Sequence, residues 1–105
     1  MNIQVNTDSS IQGDERLEEI VDTIVSNRIE RFRHDVTRVE VHLRDENAQK
    51  GGADDKHCTM EARVEGLSPL AVSHNADELR AAITGAARKL EHALDSALGK
   101  RKEHR

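Results

Sequence analysis

Residues 37–44 read Thr-Arg-Val-Glu-Val-His-Leu-Arg, and residues 57–65 read His-Cys-Thr-Met-Glu-Ala-Arg-Val-Glu. Apolar and polar residues alternate in both segments, which is the period-two pattern of a strand with one buried face. The connector at 46–55 is polar and carries two adjacent glycines. We therefore predict a long β-hairpin with a mobile tip at 46–55, whose apolar face the rest of the chain must cover.

The chain before this hairpin predicts a strand followed by a helix. Ile3 and Val5 alternate with polar residues, and from Leu17 to Phe32 apolar residues recur at every third or fourth position. The second pattern predicts an amphipathic helix, with Asp14 as its N-cap. A β-α-β unit of this kind is expected to place its two strands parallel, through a right-handed crossover.

The chain after the hairpin predicts a short strand and a second helix. Residues 70–74 have the alternating pattern of a brief strand, and Asn75-Ala-Asp-Glu78 has the spacing of a capping box. A stripe of apolar residues follows within 79–98, as on a helix with one buried side. The order β-α-β-β-β-α predicts an α+β fold in which a four-stranded mixed sheet carries two helices on one face.

Length and composition fit one domain, 1–105, that ends in a basic C-terminal tail at 99–105. Because Phe32 is the sole aromatic residue, the core must be aliphatic. Cys58 is the only cysteine and cannot form an internal disulfide, and no apolar run is long enough to span a bilayer. These features predict a reducing, cytoplasmic setting.

Motifs that carry enzyme chemistry are absent from the sequence. It contains no P-loop, no dinucleotide-binding fingerprint and no nucleophile elbow, so we predict no catalytic residue, no cofactor and no enzyme activity. His57 and Cys58 lie close in sequence to Asp54 and Asp55, and all four are residue types that can bind a metal ion. Neighbours in a strand point to opposite faces, however, so no metal site is predicted, and Cys58 is interpreted as a buried structural residue.

The histidines leave one alternative open. His42 and His57 are predicted to lie on the exposed sheet face, where they could approach each other across the hairpin, and His74 ends the fourth strand. A cluster that senses pH or binds a metal is one interpretation of this pattern. Ordinary solvated histidines are the other.

The distribution of basic side chains suggests contact with RNA. The net charge of −4 argues against coating of nucleic acid by bulk charge, although a local basic patch can still bind. Without Tyr or Trp the sheet has no platform for base stacking, so contact would be made to phosphates and to RNA shape. A solvated helix surface is the alternative. The candidate RNA-binding residues are Arg28, Arg31, Arg88, Lys89, His92, Lys100, Arg101 and Lys102.

Several segments together resemble a known family. Residues 28–32, Arg-Ile-Glu-Arg-Phe, followed by 37–43, are similar to a basic helix end and second strand, and residues 78–83 followed by 88–91 are similar to a second helix. The family is that of the small ribosome-associated proteins, which includes hibernation promoting factor and the ribosome-associated inhibitor. The order and spacing of the segments, over nearly the whole chain, carry this resemblance.

The resemblance implies a β-α-β-β-β-α fold, comparable to that of double-stranded RNA-binding domains. It also implies a translation regulator that binds the small ribosomal subunit, at 16S-type ribosomal RNA near the mRNA and tRNA channel, and inhibits or preserves idle ribosomes under stress. DNA and membranes are not expected partners. The oligomeric state is open, with a monomer as the default. As the chain stops at Arg105, it is expected to match the family's short form.

The chain also departs from the family's pattern. Arg80 stands where the family usually has an aromatic residue, His92-Ala93 replaces an Arg-Gln pair, and the hairpin tip is long and acidic. These differences suggest weaker binding or a different position on the ribosome. The net charge of −4, His92-Ala93 and the acidic tip also leave open an alternative function, in which the protein is an interaction adaptor that keeps the fold but has lost contact with ribosomal RNA.

Overall fold

The computed structural model describes residues 1–46 and 55–103, with side chains up to Gly99. The predicted tip of the hairpin, apart from its two end residues, lies outside the described residues. The elements have the predicted order. They are β1 (Asn2–Thr7), α1 (Glu15–Ile29), a 3-10 turn (Glu30–Phe32), β2 (Val36–Asp45), β3 (Lys56–Val64), β4 (Leu70–Ala76) and α2 (Leu79–Glu103).

The four strands form one mixed sheet in the order β1-β2-β3-β4. β1 runs parallel to β2, and β2 runs antiparallel to β3, as the sequence predicted. β4 runs antiparallel to β3. In the β2–β3 ladder Val41 lies opposite Met60 and Leu43 lies opposite Cys58, so apolar side chains meet on the same face. The backbone N–H of Glu46 donates to the Asp55 carbonyl at 2.8 Å and closes the hairpin where its described part ends.

Both helices pack on this apolar face and complete a single core. The stripe on α1 begins at Leu17 and is buried at every third or fourth position, and Phe32 follows it in the 3-10 turn. The Asp14 carboxylate accepts a hydrogen bond from the Leu17 N–H at 2.8 Å, which confirms the predicted N-cap. The fully buried residues of α2 are Ala82, Ile83, Ala86, Ala87, Leu90 and Leu94.

The predicted capping box before α2 is wrong. Asn75 lies within β4 opposite His57, and its side-chain oxygen contacts the His57 ring. The strand continues to Ala76, which is buried, and α2 begins only at Leu79. Ladder pairing with β3 holds Asn75 in extended backbone, so its side chain is too far back along the chain to cap the helix.

His74 lies on the helix-covered face of the sheet, because strand residues alternate and Asn75 faces the other way. Its ring occupies the space beside Gly85, where an added Cβ would lie 2.1 Å from the His74 Cδ2 atom. The sheet therefore separates His74 from His42 and His57, so the alternative of a cluster that contains all three histidines is wrong. Within residues 1–46 and 55–99, no group of three potential metal ligands is present.

The close contact between β4 and α2 predicts a non-additive pair of substitutions. Gly85→Ala should lower the free energy of unfolding by about 1–3 kcal/mol, because the new methyl group overlaps the His74 ring. In a His74→Ala background the same change should instead raise it by up to about 1 kcal/mol, because alanine is the better helix former. Urea unfolding of the four proteins measures both effects. Equal effects in the two backgrounds would contradict the contact.

Cys58 is fully buried on the apolar face, as predicted, and burial raises the pKa of its thiol to about 12. Because the pKa of the Cys58 thiol is higher in the folded state than in the unfolded state, the protonated thiol stabilises the folded protein. This stabilisation is complete below the unfolded pKa of about 9 and is lost as the pH rises towards 12. At neutral pH the thiol is protonated and shielded.

We therefore expect Cys58 to be unreactive in the native protein. At pH 8 a thiol reagent such as dithionitrobenzoate should modify the native protein at least about 100-fold more slowly than the urea-unfolded protein, because only the exposed thiolate reacts. Absorbance of the released thiolate measures both rates. Similar rates in the two states would show that β3 opens readily.

Candidate nucleic-acid interface

The end of α1 and the middle of α2 are joined by ion pairs. Arg28 lies 3.5 Å from the Glu91 carboxylate, and Arg31 lies 3.8 Å from Glu91 and 3.2 Å from Asp95. Glu91 and Asp95 are one helical turn apart, so they present a short acidic row to the two arginines. The Arg31 guanidinium also lies over the Phe32 ring, 4.3 Å from its centroid. These contacts hold the guanidinium groups of Arg28 and Arg31 in place at the junction of the two helices.

Both arginines keep unused hydrogen-bonding capacity. The side chain of Arg31 is 56% exposed and that of Arg28 is 36% exposed. A guanidinium has five N–H donors, and monodentate contacts to carboxylates use only some of them. Ion pairs as exposed as these contribute at most about 1 kcal/mol each. A phosphate group could therefore compete with Glu91 and Asp95 at modest energetic cost.

A second group of cations lies on the outward face of α2. Arg88 and His92 are one turn apart and exposed, as predicted from their spacing, and neither has a hydrogen bond or an ion pair within the described part of the chain. Arg80, about two turns before Arg88, is also exposed. Arg80 and Arg88 line a shallow concavity beside α2. The sequence prediction omitted Arg80, although its eight-residue spacing from Arg88 was a usable signal.

Lys89 is turned towards the sheet. Its Nζ atom donates a hydrogen bond of 2.8 Å to the Ser73 carbonyl in β4. The ammonium group therefore holds α2 against the edge strand, and it lies to one side of Arg88. Lys100, Arg101 and Lys102 belong to α2 by their backbone, but their side chains are outside the described residues, so their part in a binding surface stays a prediction.

The open face of the sheet has a different electrostatic character. In the described ranges, every arginine on this face has a carboxylate within 4 Å. The pairs are Arg38–Glu40 at 2.8 Å, Arg44–Glu46 at 3.2 Å and Arg63–Glu61 at 3.7 Å. Alternating charge of this kind offers no site at which several phosphates could bind together. The two helices are the better candidate for contact with a polyanion.

The arrangement of cations on the helices suits the binding of phosphate groups. Arginine forks bind phosphate oxygens through two hydrogen bonds, and exposed helix surfaces can follow a nucleic-acid backbone. These exposed cations favour a macromolecular ligand that carries several negative charges.

Among the described residues, no helix is both apolar enough and long enough to cross a lipid bilayer.

Comparisons with known proteins give the chain its family. The family model described as "Sigma 54 modulation protein / S30EA ribosomal protein" matches residues 3–102. No curated protein sequence matches the chain. Among solved structures, a ribosomal subunit interface protein from Coxiella burnetii aligns with a TM-score of 0.77 at 17% identity, covering 94% of this chain and 99% of that one.

A second solved structure shares the fold. The N-terminal domain of Protein Y from Thermus thermophilus aligns with a TM-score of 0.74 at 17% identity, covering 91% of this chain and 98% of that one. These two likenesses confirm the predicted β-α-β-β-β-α architecture, and the family match confirms the resemblance carried by the sequence segments. The match spans nearly the whole chain, so this protein belongs to the Sigma 54 modulation protein / S30EA ribosomal protein family.

Proposed function

We propose that this protein is a non-enzymatic, cytoplasmic regulator of translation that associates with the ribosome and binds the small subunit through its ribosomal RNA. The observation that carries the proposal is the group of exposed cations on α2, Arg80, Arg88 and His92. Arg28 and Arg31, at the junction of the two helices, add two further exposed guanidinium groups. Its family includes S30EA ribosomal proteins, and one structural relative is named a ribosomal subunit interface protein.

The cations on α2 are spread along the helix, so they could contact more than one RNA phosphate. Along an α-helix with a rise of 1.5 Å per residue, Arg88 lies about 12 Å beyond Arg80, and His92 lies about 6 Å beyond Arg88. Duplex RNA is recognised mainly through its shape and its backbone, and such contact needs no aromatic residue. The nearly aromatic-free composition of the chain is compatible with this mode.

Occupation of the subunit near the mRNA and tRNA channel would inhibit initiation or preserve idle ribosomes under stress. Purified protein should co-sediment with 30S or 70S particles at low salt, because phosphate contacts strengthen as salt falls. Failure to co-sediment at any salt concentration would overturn the proposal.

A protein-interaction adaptor is the second candidate function. The observation that favours it is the pairing of Arg28 and Arg31 with Glu91 and Asp95, which partly neutralises the helix junction. Capture of partners from a lysate, with and without nuclease, separates the two functions. An adaptor keeps its partners when RNA is destroyed, whereas a protein bound through ribosomal RNA loses them.

Removal of two arginines from α2 should weaken ribosome binding and its dependence on salt. The variant Arg80→Gln with Arg88→Gln loses up to two phosphate contacts. The slope of log K against log salt is negative, and its magnitude should decrease by about 1.4–1.8, because each lost phosphate contact removes roughly 0.7–0.9. Binding measured by sedimentation between low and moderate salt gives this slope.

The matched control removes the same charge from the open sheet face. Arg44 and Arg63 are 55% and 56% exposed in their side chains, so Arg44→Gln with Arg63→Gln should leave both the affinity and the slope unchanged. If the sheet variant loses binding and the helix variant keeps it, then the RNA surface lies on the open face of the sheet.

Neutralising the acidic row on α2 should have the opposite effect. Glu91→Gln with Asp95→Asn keeps the side-chain shapes but releases Arg28 and Arg31 and removes two negative charges. Affinity for the small subunit at low salt should rise by about 3- to 10-fold, and the free energy of unfolding should fall by at most about 3 kcal/mol, because three ion pairs are lost. Titration of labelled protein with subunits and urea unfolding measure the two quantities.

The corresponding control is Glu40→Gln with Glu61→Gln, which removes two acids from the open sheet face. This change should leave the affinity for the subunit unaltered. An equal gain in both variants would mean that only net charge matters, and that the helix junction has no special part in binding.

A further inference from the structure

The outer edge of β1 is open. In the described part of the chain, β1 is hydrogen-bonded to β2 alone, so one side of its backbone has no strand neighbour. The opposite edge of the sheet is partly covered, because Lys89 donates to the Ser73 carbonyl of β4. An exposed strand edge presents N–H and C=O groups that can pair with another extended chain.

A groove lies between this open edge and α1. It has a volume of about 810 Å³ and is lined by residues 2–5 of β1 and by one side of α1. Ile3 and Val5 are only half-buried there, although they point towards the core side of the sheet. An added strand, about 4.8 Å from β1, would cover this apolar surface.

The α1 side of the groove is acidic. Glu15, Glu18, Glu19 and Asp22 all line it and are exposed, and their i, i+3, i+4, i+7 spacing places them on one stripe of the helix. The helix dipole favours acids in the first turn, which accounts for Glu15 and Glu18 but not for Asp22. Like charges at this spacing repel one another, so the stripe is unfavourable to the isolated helix.

No cation in the described residues neutralises this stripe from within the groove. Arg38 is the one basic residue that lines the groove, and its guanidinium pairs with Glu40 at 2.8 Å and with the Gln4 side chain on the open sheet face. The groove therefore combines an unpaired strand edge, half-buried apolar side chains and uncompensated negative charge.

We propose that this groove binds an extended, lysine- or arginine-rich segment of a partner protein, which adds to the β1 edge as a further strand. Main-chain hydrogen bonds would supply affinity, and alternate basic side chains would face the α1 carboxylates. A second copy of β1 is a poor occupant, because a two-fold pairing would bring two acidic stripes together. This inference is independent of the proposed RNA contact, which uses α2 and the C-terminal end of α1, away from the groove.

The experiment uses the full chain and the blocked peptide acetyl-Lys-Val-Lys-Val-Lys-Val-Lys-amide. Titration of isotope-labelled protein should shift the amide resonances of residues 2–7 and slow their hydrogen exchange, because these backbone groups become paired. Two further peptides carry N-methyl groups, on the valines in one and on the inner lysines in the other. Because successive N–H groups of a strand point to opposite sides, one of these peptides should lose binding and the other should keep it.

Protein variants test the charge complementarity. Glu18→Gln with Asp22→Asn should weaken peptide binding by about 5-fold, since two exposed charge pairs are lost. Glu40→Gln with Glu61→Gln, on the open sheet face, should leave peptide binding unchanged. Far-ultraviolet circular dichroism of both variants confirms that the helices are retained.

The absence of binding at millimolar peptide would overturn the inference, as would shifts confined to residues outside β1 and α1. Equal tolerance of both N-methylated peptides would indicate charge attraction without strand pairing and would overturn it too, and so would equal peptide binding by both double variants. Concentration-dependent shifts of residues 2–7 without peptide would identify the occupant as another copy of the chain and would also overturn it.

Discussion

The apolar face of the β2–β3 ladder has to be removed from water, and the positions of both helices follow from that requirement. Each buried valine, leucine or methionine side chain on this face stabilises the fold by roughly 1.5–3 kcal/mol relative to exposure. Because Phe32 is the only aromatic residue, small and medium side chains must fill the space between helix and sheet. Close approach is the result, and at β4 it brings the His74 ring against the backbone of Gly85 in α2.

Placing both helices on one face also determines the electrostatic character of the molecule. The helices lie side by side, so the end of α1 meets the acidic row of α2, and Arg28 and Arg31 become paired with Glu91 and Asp95. The outward face of α2 carries Arg80, Arg88 and His92, whereas the flank of α1 beside β1 is acidic. A net charge of −4 therefore conceals two surfaces of opposite sign.

This division is useful to a protein that binds a polyanion. Under the proposed function, phosphates would be attracted to the face of α2 and repelled from the flank of α1, so the charge distribution would orient the domain on its approach to RNA. Because carboxylates hold the arginines at the helix junction, phosphate binding there would exchange one set of ion pairs for another. Such an exchange would limit the affinity for RNA and favour reversible association with the ribosome.

The sequence by itself determined the elements, because their signals are local. Alternation over five or more residues places side chains on two faces of a strand, and recurrence at three and four residues places them on one side of a helix. The strands, the parallel crossover, the cap at Asp14 and the burial of Cys58 were all predictable on these grounds. The outward positions of Arg88 and His92 followed from the same helical period.

Only the tertiary structure decided which side chains meet, because those contacts join residues that are distant in the chain. Arg31 and Asp95 are 64 residues apart, and no local pattern connects them. Asn75 pairs with His57 between β3 and β4, so it does not cap α2 as the local motif predicts. Lys89 donates to the Ser73 carbonyl because α2 lies beside the edge strand β4. Local sterics set each element, whereas contacts between elements depend on how the whole core packs.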